Sequence, residues 1–136
     1  MEKASTLSRF FAISRHIRSK MARFIPQSCT SGQIELLSLL SQKKLLTMRE
    51  IARHFKITAP TATVLVNEMV KAGYIERRSN ASDRRQVRIS LSAKGEKISK
   101  TIAQKKAEVF EELFKSLSPK ERAELDHILD TIIKNQ

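Results

Sequence analysis

Cysteine is almost missing from this 136-residue chain: Cys29 stands alone, so no internal disulfide can form, and such usage fits a reducing compartment. Glycine is nearly as scarce. Gly32, Gly73 and Gly95 are too few and too widely spaced for a dinucleotide fingerprint or a phosphate-cradling loop. His16, His54 and His127 lie far apart, with no HExxH or CxxC spacing to set ligands on one face, which argues against a metal site. No apolar run approaches the roughly 18 residues of a membrane span, and no apolar segment with a cleavage site follows Met1. These gaps lead us to expect a cytoplasmic protein with no catalytic residues, no metal and no cofactor.

What the chain has in excess is positive charge. Lys and Arg number 26 against 14 Asp and Glu, a formal net charge of +12. With 40% hydrophobic and 29% charged residues the composition is that of a compact soluble fold, and the length suits one domain. The charge is unevenly spread: residues 1–46 carry 8 basic and 2 acidic side chains, 47–95 carry 10 and 4, and 96–136 carry 8 and 8. All of the excess therefore lies in the first 95 residues, as expected of one basic side facing a polyanion.

Helical periodicity dominates. Leu7, Phe10, Phe11, Ile17, Met21 and Phe24 form a stripe on a helix over 7–24 that Pro26 stops, with arginines and a lysine largely around it. Such a basic amphipathic helix could be a transit peptide or lie on a membrane surface. With no cleavage site or linker after it, docking on a partner is the better reading, and no membrane partner is expected. Thr30 and Gln33 form a capping box for a second, almost wholly apolar helix. Thr47-Met48-Arg49-Glu50 reads as another box opening a two-turn helix, and Thr58 with Pro60 opens the next. In that helix Ala62, Leu65, Val66, Met69 and Val70 mark the core face, Gly73 ends it, and Thr61, Thr63, Val64, Asn67 and Lys71 face outward. Two helices joined by a tight turn in this way have the layout of a helix-turn-helix.

The period then changes. Residues 74–78 and 86–91 read as strands, the second with Val87, Ile89 and Leu91 inward and Gln86, Arg88 and Ser90 outward. Glu76 to Lys94 holds six basic and two acidic residues. Directly after a helix-turn-helix, such a hairpin is a wing suited to DNA backbone or minor groove. Ser92 can cap a long helix, and Ser118-Pro119-Lys120-Glu121 opens a last one whose stripe of Leu125, Ile128, Leu129, Ile132 and Ile133 calls for burial against the first helix or a second subunit.

Taken in order, these elements resemble the MarR family of bacterial winged-helix transcriptional regulators over nearly the whole chain. The likeness rests on Thr30 and Gln33, Thr47-Met48-Arg49-Glu50-Ile51-Ala52, Lys71-Ala72-Gly73-Tyr74-Ile75-Glu76-Arg77, Ser82-Asp83-Arg84-Arg85 and Leu91-Ser92-Ala93-Lys94-Gly95. It implies a mainly α fold with a small β wing: a winged helix over 30–95, flanked by dimerisation helices over 1–26 and 96–136 in a single 136-residue domain. It further implies a homodimer on double-stranded DNA, recognition helices in successive major grooves, wings in the flanking minor grooves, and regulation by a small-molecule effector or an oxidant. On this basis Thr58, Thr61, Thr63, Asn67, Lys71, Arg77, Arg78, Asp83, Arg84, Arg85 and Arg88 are the expected DNA-facing residues, with Arg85 entering the minor groove and Asp83 orienting it. Leu7, Phe10, Phe11, Ile17, Leu125, Ile128, Leu129 and Ile132 are the expected dimer contacts.

Departures from the family pattern are informative. Val64 and Glu68 stand where members often carry arginine, which reduces guanine readout and, with the methyl groups of Thr61 and Thr63, points to an A/T-leaning site. Asn80-Ala81 replaces a common Asp-Pro in the wing loop. Cys29 reads better as a small, semi-apolar junction residue than as an oxidant sensor, since nothing near it in sequence would depress its pKa. An architectural protein that binds DNA through the same basic face without sequence choice is the alternative from another class.

Overall fold

The computed structural model describes residues 5–79, 82 and 86–136. Its elements run α1 (Thr6–Met21), α2 (Ser31–Lys43), β1 (Leu46–Thr47), α3 (Met48–Phe55), α4 (Ala59–Lys71), β2 (Ile75–Ser79), β3 (Val87–Leu91), α5 (Ala93–Phe114) and α6 (Pro119–Lys134). The fold is mainly helical with one small antiparallel sheet, a winged helix-turn-helix with helices before and after it. Two compact units are distinguished: Phe24–Gln104, and Met1–Arg23 with Lys105–Gln136.

Helix starts follow the local capping chemistry. Thr30 accepts the Gln33 amide N–H at 3.2 Å while Gln33 Oε1 accepts the Thr30 N–H at 3.1 Å, which completes the expected capping box of α2. Ser118 and Glu121 do the same for α6, with Pro119 in its first turn. At α3 only half of the expected box forms among the described residues. Thr47 accepts the Glu50 N–H at 3.2 Å, but Thr47 is also the last residue of β1, and its main chain is committed to the sheet opposite Arg88.

Helix ends are equally specific. Ile57 donates to the Ala52 carbonyl and Lys56 to that of Arg53, a Schellman turn closed by Lys56 at φ 53°. The same pair of bonds ends α4, from Tyr74 to Met69 and from Gly73 to Val70, with Gly73 at φ 84°. Lys44, at φ 69°, is the centre of a tight turn in which Leu45 N–H reaches the Lys43 carbonyl at 2.8 Å and α2 is bent into β1.

The sheet order is β1-β3-β2. β1 was not expected from the sequence; it is two residues long and exists through its pairing of Leu46 with Ile89 and Thr47 with Arg88. Both strands of the hairpin also shift from expectation. Tyr74 donates its N–H to the α4 terminus, so β2 begins at Ile75, and pairing ends at Ser79 opposite Val87, which leaves Gln86 outside β3. The expected alternation in β3 fails at both ends. Val87 is exposed because it lies past the reach of β1. Ser90 is buried, as is its neighbour Ile89, where α2 and α3 both pack against β3.

Leu36, Leu40, Ile51, Val66 and Ile89 are completely buried and form the centre of the Phe24–Gln104 unit. Each contributes about 1.5–3 kcal/mol by its removal from water. In the other unit α1 ends at Met21, three residues before the expected Phe24, and residues 22–24 turn instead. Pro26 restricts the residue before it to extended backbone, so the helix closes ahead of that restriction. Between α5 and α6 the Arg122 guanidinium donates to Glu111 at 2.6 Å and lies over the Phe114 ring.

The two glycines at the hairpin base should respond differently to substitution. A Cβ at Gly95 would overlap the Tyr74 carbonyl oxygen, whereas one at Gly73 would meet nothing closer than the flexible Lys94 side chain at 3.7 Å. Gly95→Ala should thus cost about 2–3 kcal/mol in chemical denaturation by forcing backbone apart, and Gly73→Ala about 1 kcal/mol from its positive φ alone. Acid should act through two carboxylates. Glu111, bonded to Arg122, and Glu121, bonded to the Ser118 N–H, both titrate below the usual carboxylate range. Depressed carboxylate pKa values stabilise the fold above the unfolded pKa, and that contribution disappears as pH falls through the folded value. Ellipticity should therefore decline on acidification into and below the usual carboxylate range, less steeply in Glu111→Gln.

Candidate nucleic-acid interface

The unit Phe24–Gln104 presents one face of α4 and the hairpin β2–β3. On α4, Ala62, Val66 and Met69 are buried and Leu65 and Val70 half-buried, as the periodicity predicts. The opposite face carries Thr61, Thr63, Val64, Asn67 and Lys71, all exposed. Thr58, the N-cap of α4, shares a 2.8 Å hydrogen bond between its hydroxyl and that of Thr61, and accepts the Thr61 N–H. Thr63 donates its hydroxyl proton to the Ala59 carbonyl at 3.0 Å. Thus the helix itself occupies the threonine hydroxyls in part, and the methyl of Thr63 and the Val64 side chain are left as an apolar strip.

Asn67 and Arg77 meet: the Arg77 guanidinium on β2 donates to Asn67 Oδ1 on α4. Arg78 lies 3.8 Å from Glu76 and stands directly opposite Arg88 in the sheet register. Like charges facing one another across an antiparallel pair are destabilising. Of the other expected wing residues, Asp83, Arg84 and Arg85 lie outside the described residues, as do Asn80 and Ala81.

The base of the hairpin is fastened to the end of α4 by residues the sequence marked as a motif without showing their task. Ser92 donates its hydroxyl to the Gly73 carbonyl and its N–H to the Tyr74 carbonyl at 3.0 Å, and the same hydroxyl accepts the Gly95 N–H at 3.0 Å. Lys94 Nζ donates to the Ala72 carbonyl at 2.9 Å and sits 4.7 Å above the Tyr74 ring. From α2, Gln33 Nε2 donates to Glu68 of α4 at 3.1 Å. His54 and Glu35 pair at 3.0 Å between α3 and α2.

Cys29 is half-buried and close to Tyr74. Burial first, then the negative charge of Cys29 in its thiolate form and its hydrogen bond, hold the Tyr74 phenol above its ordinary pKa. Among the described residues no group of three His, Cys, Asp or Glu side chains converges, and no helix is long and apolar enough to cross a membrane.

The expected dimer contacts fall on two helices of the other unit. Leu7, Phe10 and Phe11 of α1 are exposed and Ile17 half-buried; on α6 Leu125 is half-buried and Ile128, Leu129 and Ile132 are exposed.

Comparison with known proteins agrees with this architecture. The MarR family model matches residues 29–87. The HTH-type transcriptional regulator SarZ of Staphylococcus saprophyticus is 30% identical over 118 residues, which cover 82% of this chain and 80% of that protein. Among solved structures, reduced MarR from E. coli superposes with a TM-score of 0.73 at 24% identity, covering 96% of this chain and 98% of that one. A mutant of S. aureus MepR bound to an oligodeoxyribonucleotide gives 0.70 at 24% identity, covering 98% and 99%. The structural likenesses concern the fold, while the family match and SarZ concern descent. On these grounds the chain belongs to the MarR family.

Proposed function

We propose that the protein is a transcriptional regulator that binds double-stranded DNA as a homodimer, represses from an inverted-repeat operator, and is released by a small-molecule or oxidant signal. The observation that carries the reading is the outward face of α4, five exposed side chains with none needed by the core, set beside a hairpin in which Arg78 opposes Arg88. A hairpin that places like charges opposite each other gives up stability, and a phosphate backbone is a partner that turns that cost into attraction. That MepR, of the same fold, has been solved bound to an oligodeoxyribonucleotide supports DNA as the partner. An exposed helix after a tight turn suits the major groove, and a basic hairpin beside it the minor groove. Thr58, Thr61, Thr63, Asn67 and Lys71 are then the groove-facing residues of α4. Arg77, Arg78 and Arg88, with Asp83, Arg84 and Arg85 of the loop, belong to the wing.

Homodimerisation is supported by the apolar side chains that the single chain leaves in water. Leu7 is 64%, Phe10 62%, Ile132 54% and Ile133 69% exposed, which is costly unless a second subunit covers them. Light scattering at micromolar concentration should report a dimer, and removal of residues 126–136 should abolish dimerisation and DNA binding together. A stable folded monomer would refute this architecture.

DNA binding should require two half-sites with centres about 34 Å apart, so that inserting five base pairs between them abolishes tight binding. With about 8 phosphates neutralised per dimer, the log-log salt slope should be near −7. Arg78→Ala should reduce that slope by about 1 per protomer and weaken binding uniformly across sequences. Its folded stability should stay level or rise by a few tenths of a kcal/mol, roughly what relief of the repulsion from Arg88 provides. Equal affinity for selected and random duplexes would favour an architectural DNA-binding protein instead.

A further inference from the structure

We infer that Arg77 is a positioning residue that sets the base preference of Asn67, restricting its amide to donation, so that Asn67 and Val64 together select thymine and reject adenine. The inference rests on the proposal that α4 reads the major groove, and it goes further by naming what one turn of that helix reads.

A guanidinium has five N–H donors and no acceptor. Its bond to Asn67 therefore fixes which end of the side-chain amide faces β2: Oδ1 accepts from Arg77, and Nδ2 is left to point elsewhere. Asparagine usually reads adenine with both ends at once, Nδ2 donating to N7 while Oδ1 accepts from the N6 amino group. Here a full positive charge stands beside the oxygen that the N6 amino group would have to reach; the Arg77 bond occupies one of its two lone pairs and makes it a weaker acceptor for a second donor. What Asn67 retains is donation, which fits O4 of thymine or O6 and N7 of guanine; adenine offers N7 as well, but beside an N6 amino group that would face the Arg77 charge.

The neighbouring residues narrow the choice. Val64 lies three residues before Asn67 on the same helix face and is 56% exposed, an apolar surface with no partner in the core. Thr63 has spent its hydroxyl proton on the Ala59 carbonyl and brings no further donor. An apolar group one turn from a lone donor matches thymine, the base that presents a C5-methyl beside an O4 acceptor; guanine offers acceptors without the methyl. Arg77 is available for this task because, among the described residues, no carboxylate lies within ion-pair distance of it, whereas Arg78 has Glu76.

The test begins with duplexes that the wild-type protein selects from a random pool. The position read by Asn67 is the one at which Asn67→Ala loses base discrimination. Fluorescence anisotropy then compares thymine, adenine and deoxyuridine at that position. Wild type should bind the adenine duplex about tenfold more weakly than the thymine duplex, and deoxyuridine about threefold more weakly, through loss of the methyl. Arg77→Met should weaken binding to all duplexes yet bring the thymine-to-adenine ratio close to one, while Arg77→Lys, which still donates, should keep it. Val64→Ala should erase the difference between thymine and deoxyuridine and leave adenine disfavoured. A wild-type preference for adenine at that position, or an Arg77→Met protein with an unchanged ratio, would overturn the inference while leaving DNA recognition by α4 intact. Selection that yields no preferred sequence at all would instead overturn the reading on which it rests.

Discussion

The hydroxyl of Ser92 is the point on which the winged helix depends. It donates to the carbonyl of Gly73, the residue that ends α4, and accepts the N–H of Gly95, the third residue of α5. One side chain thus joins the end of the helix that faces outward, the first residues after the hairpin and the start of the long helix. The contact is close enough that Gly95 tolerates no Cβ against the Tyr74 carbonyl. Lys94 completes the junction by satisfying the Ala72 carbonyl at the α4 terminus, where a cation is also favoured by the helix dipole. Because β2 and β3 both emerge from this junction, the direction of the hairpin relative to α4 is set by hydrogen bonds from the Ser92 and Lys94 side chains to the main chain.

From that anchor α4 is held on two sides by polar contacts of different kinds. Gln33 is buried and serves two elements: its oxygen closes the α2 capping box and its nitrogen donates to Glu68. A capping residue that also reaches the next helix links the start of α2 to the middle of α4, so the familiar Thr30–Gln33 pattern does more than begin a helix. On the solvent side Arg77 meets Asn67. The first contact is partly buried and fixes where the helix lies; the second is exposed, where a single bond adds little to stability. Its consequence is the orientation of one amide, a matter of recognition rather than of folding.

How much of this was legible in the sequence follows from the range of each interaction. Caps at Thr30, Thr58, Ser92 and Ser118, and the left-handed end at Gly73, are made by neighbours within a few residues, and the residue types alone reveal them. The core and outer faces of α4 followed from its period for the same reason. β1 was invisible because two residues have no period, and it exists by pairing with a strand some forty positions later. Val87 and Ser90 departed from alternation because burial in β3 is decided by which elements cover each end of the strand, not by the pleat. The bond from Gln33 to Glu68 spans 35 positions and that from Arg77 to Asn67 spans 10, beyond what any local pattern encodes.

The places where the structure breaks local rules carry the most functional content. Arg78 opposite Arg88 is an unfavourable pair in a hairpin that could have alternated its charges, and Glu76 offsets it at 3.8 Å in an exposed setting where the offset is small. Leu7, Phe10, Ile132 and Ile133 leave apolar surface in water on helices whose periodicity is otherwise regular. A sequence consistent at every other level, with helix caps placed where they are needed and a core of fully buried aliphatic side chains, does not accumulate such exceptions by poor fit. Each exception becomes favourable when a partner of one particular chemistry arrives, anionic at the hairpin and apolar at α1 and α6. Those two chemistries differ enough that one partner cannot meet both, which is why the proposed function pairs a polyanion at the winged helix with a second, like surface at α1 and α6.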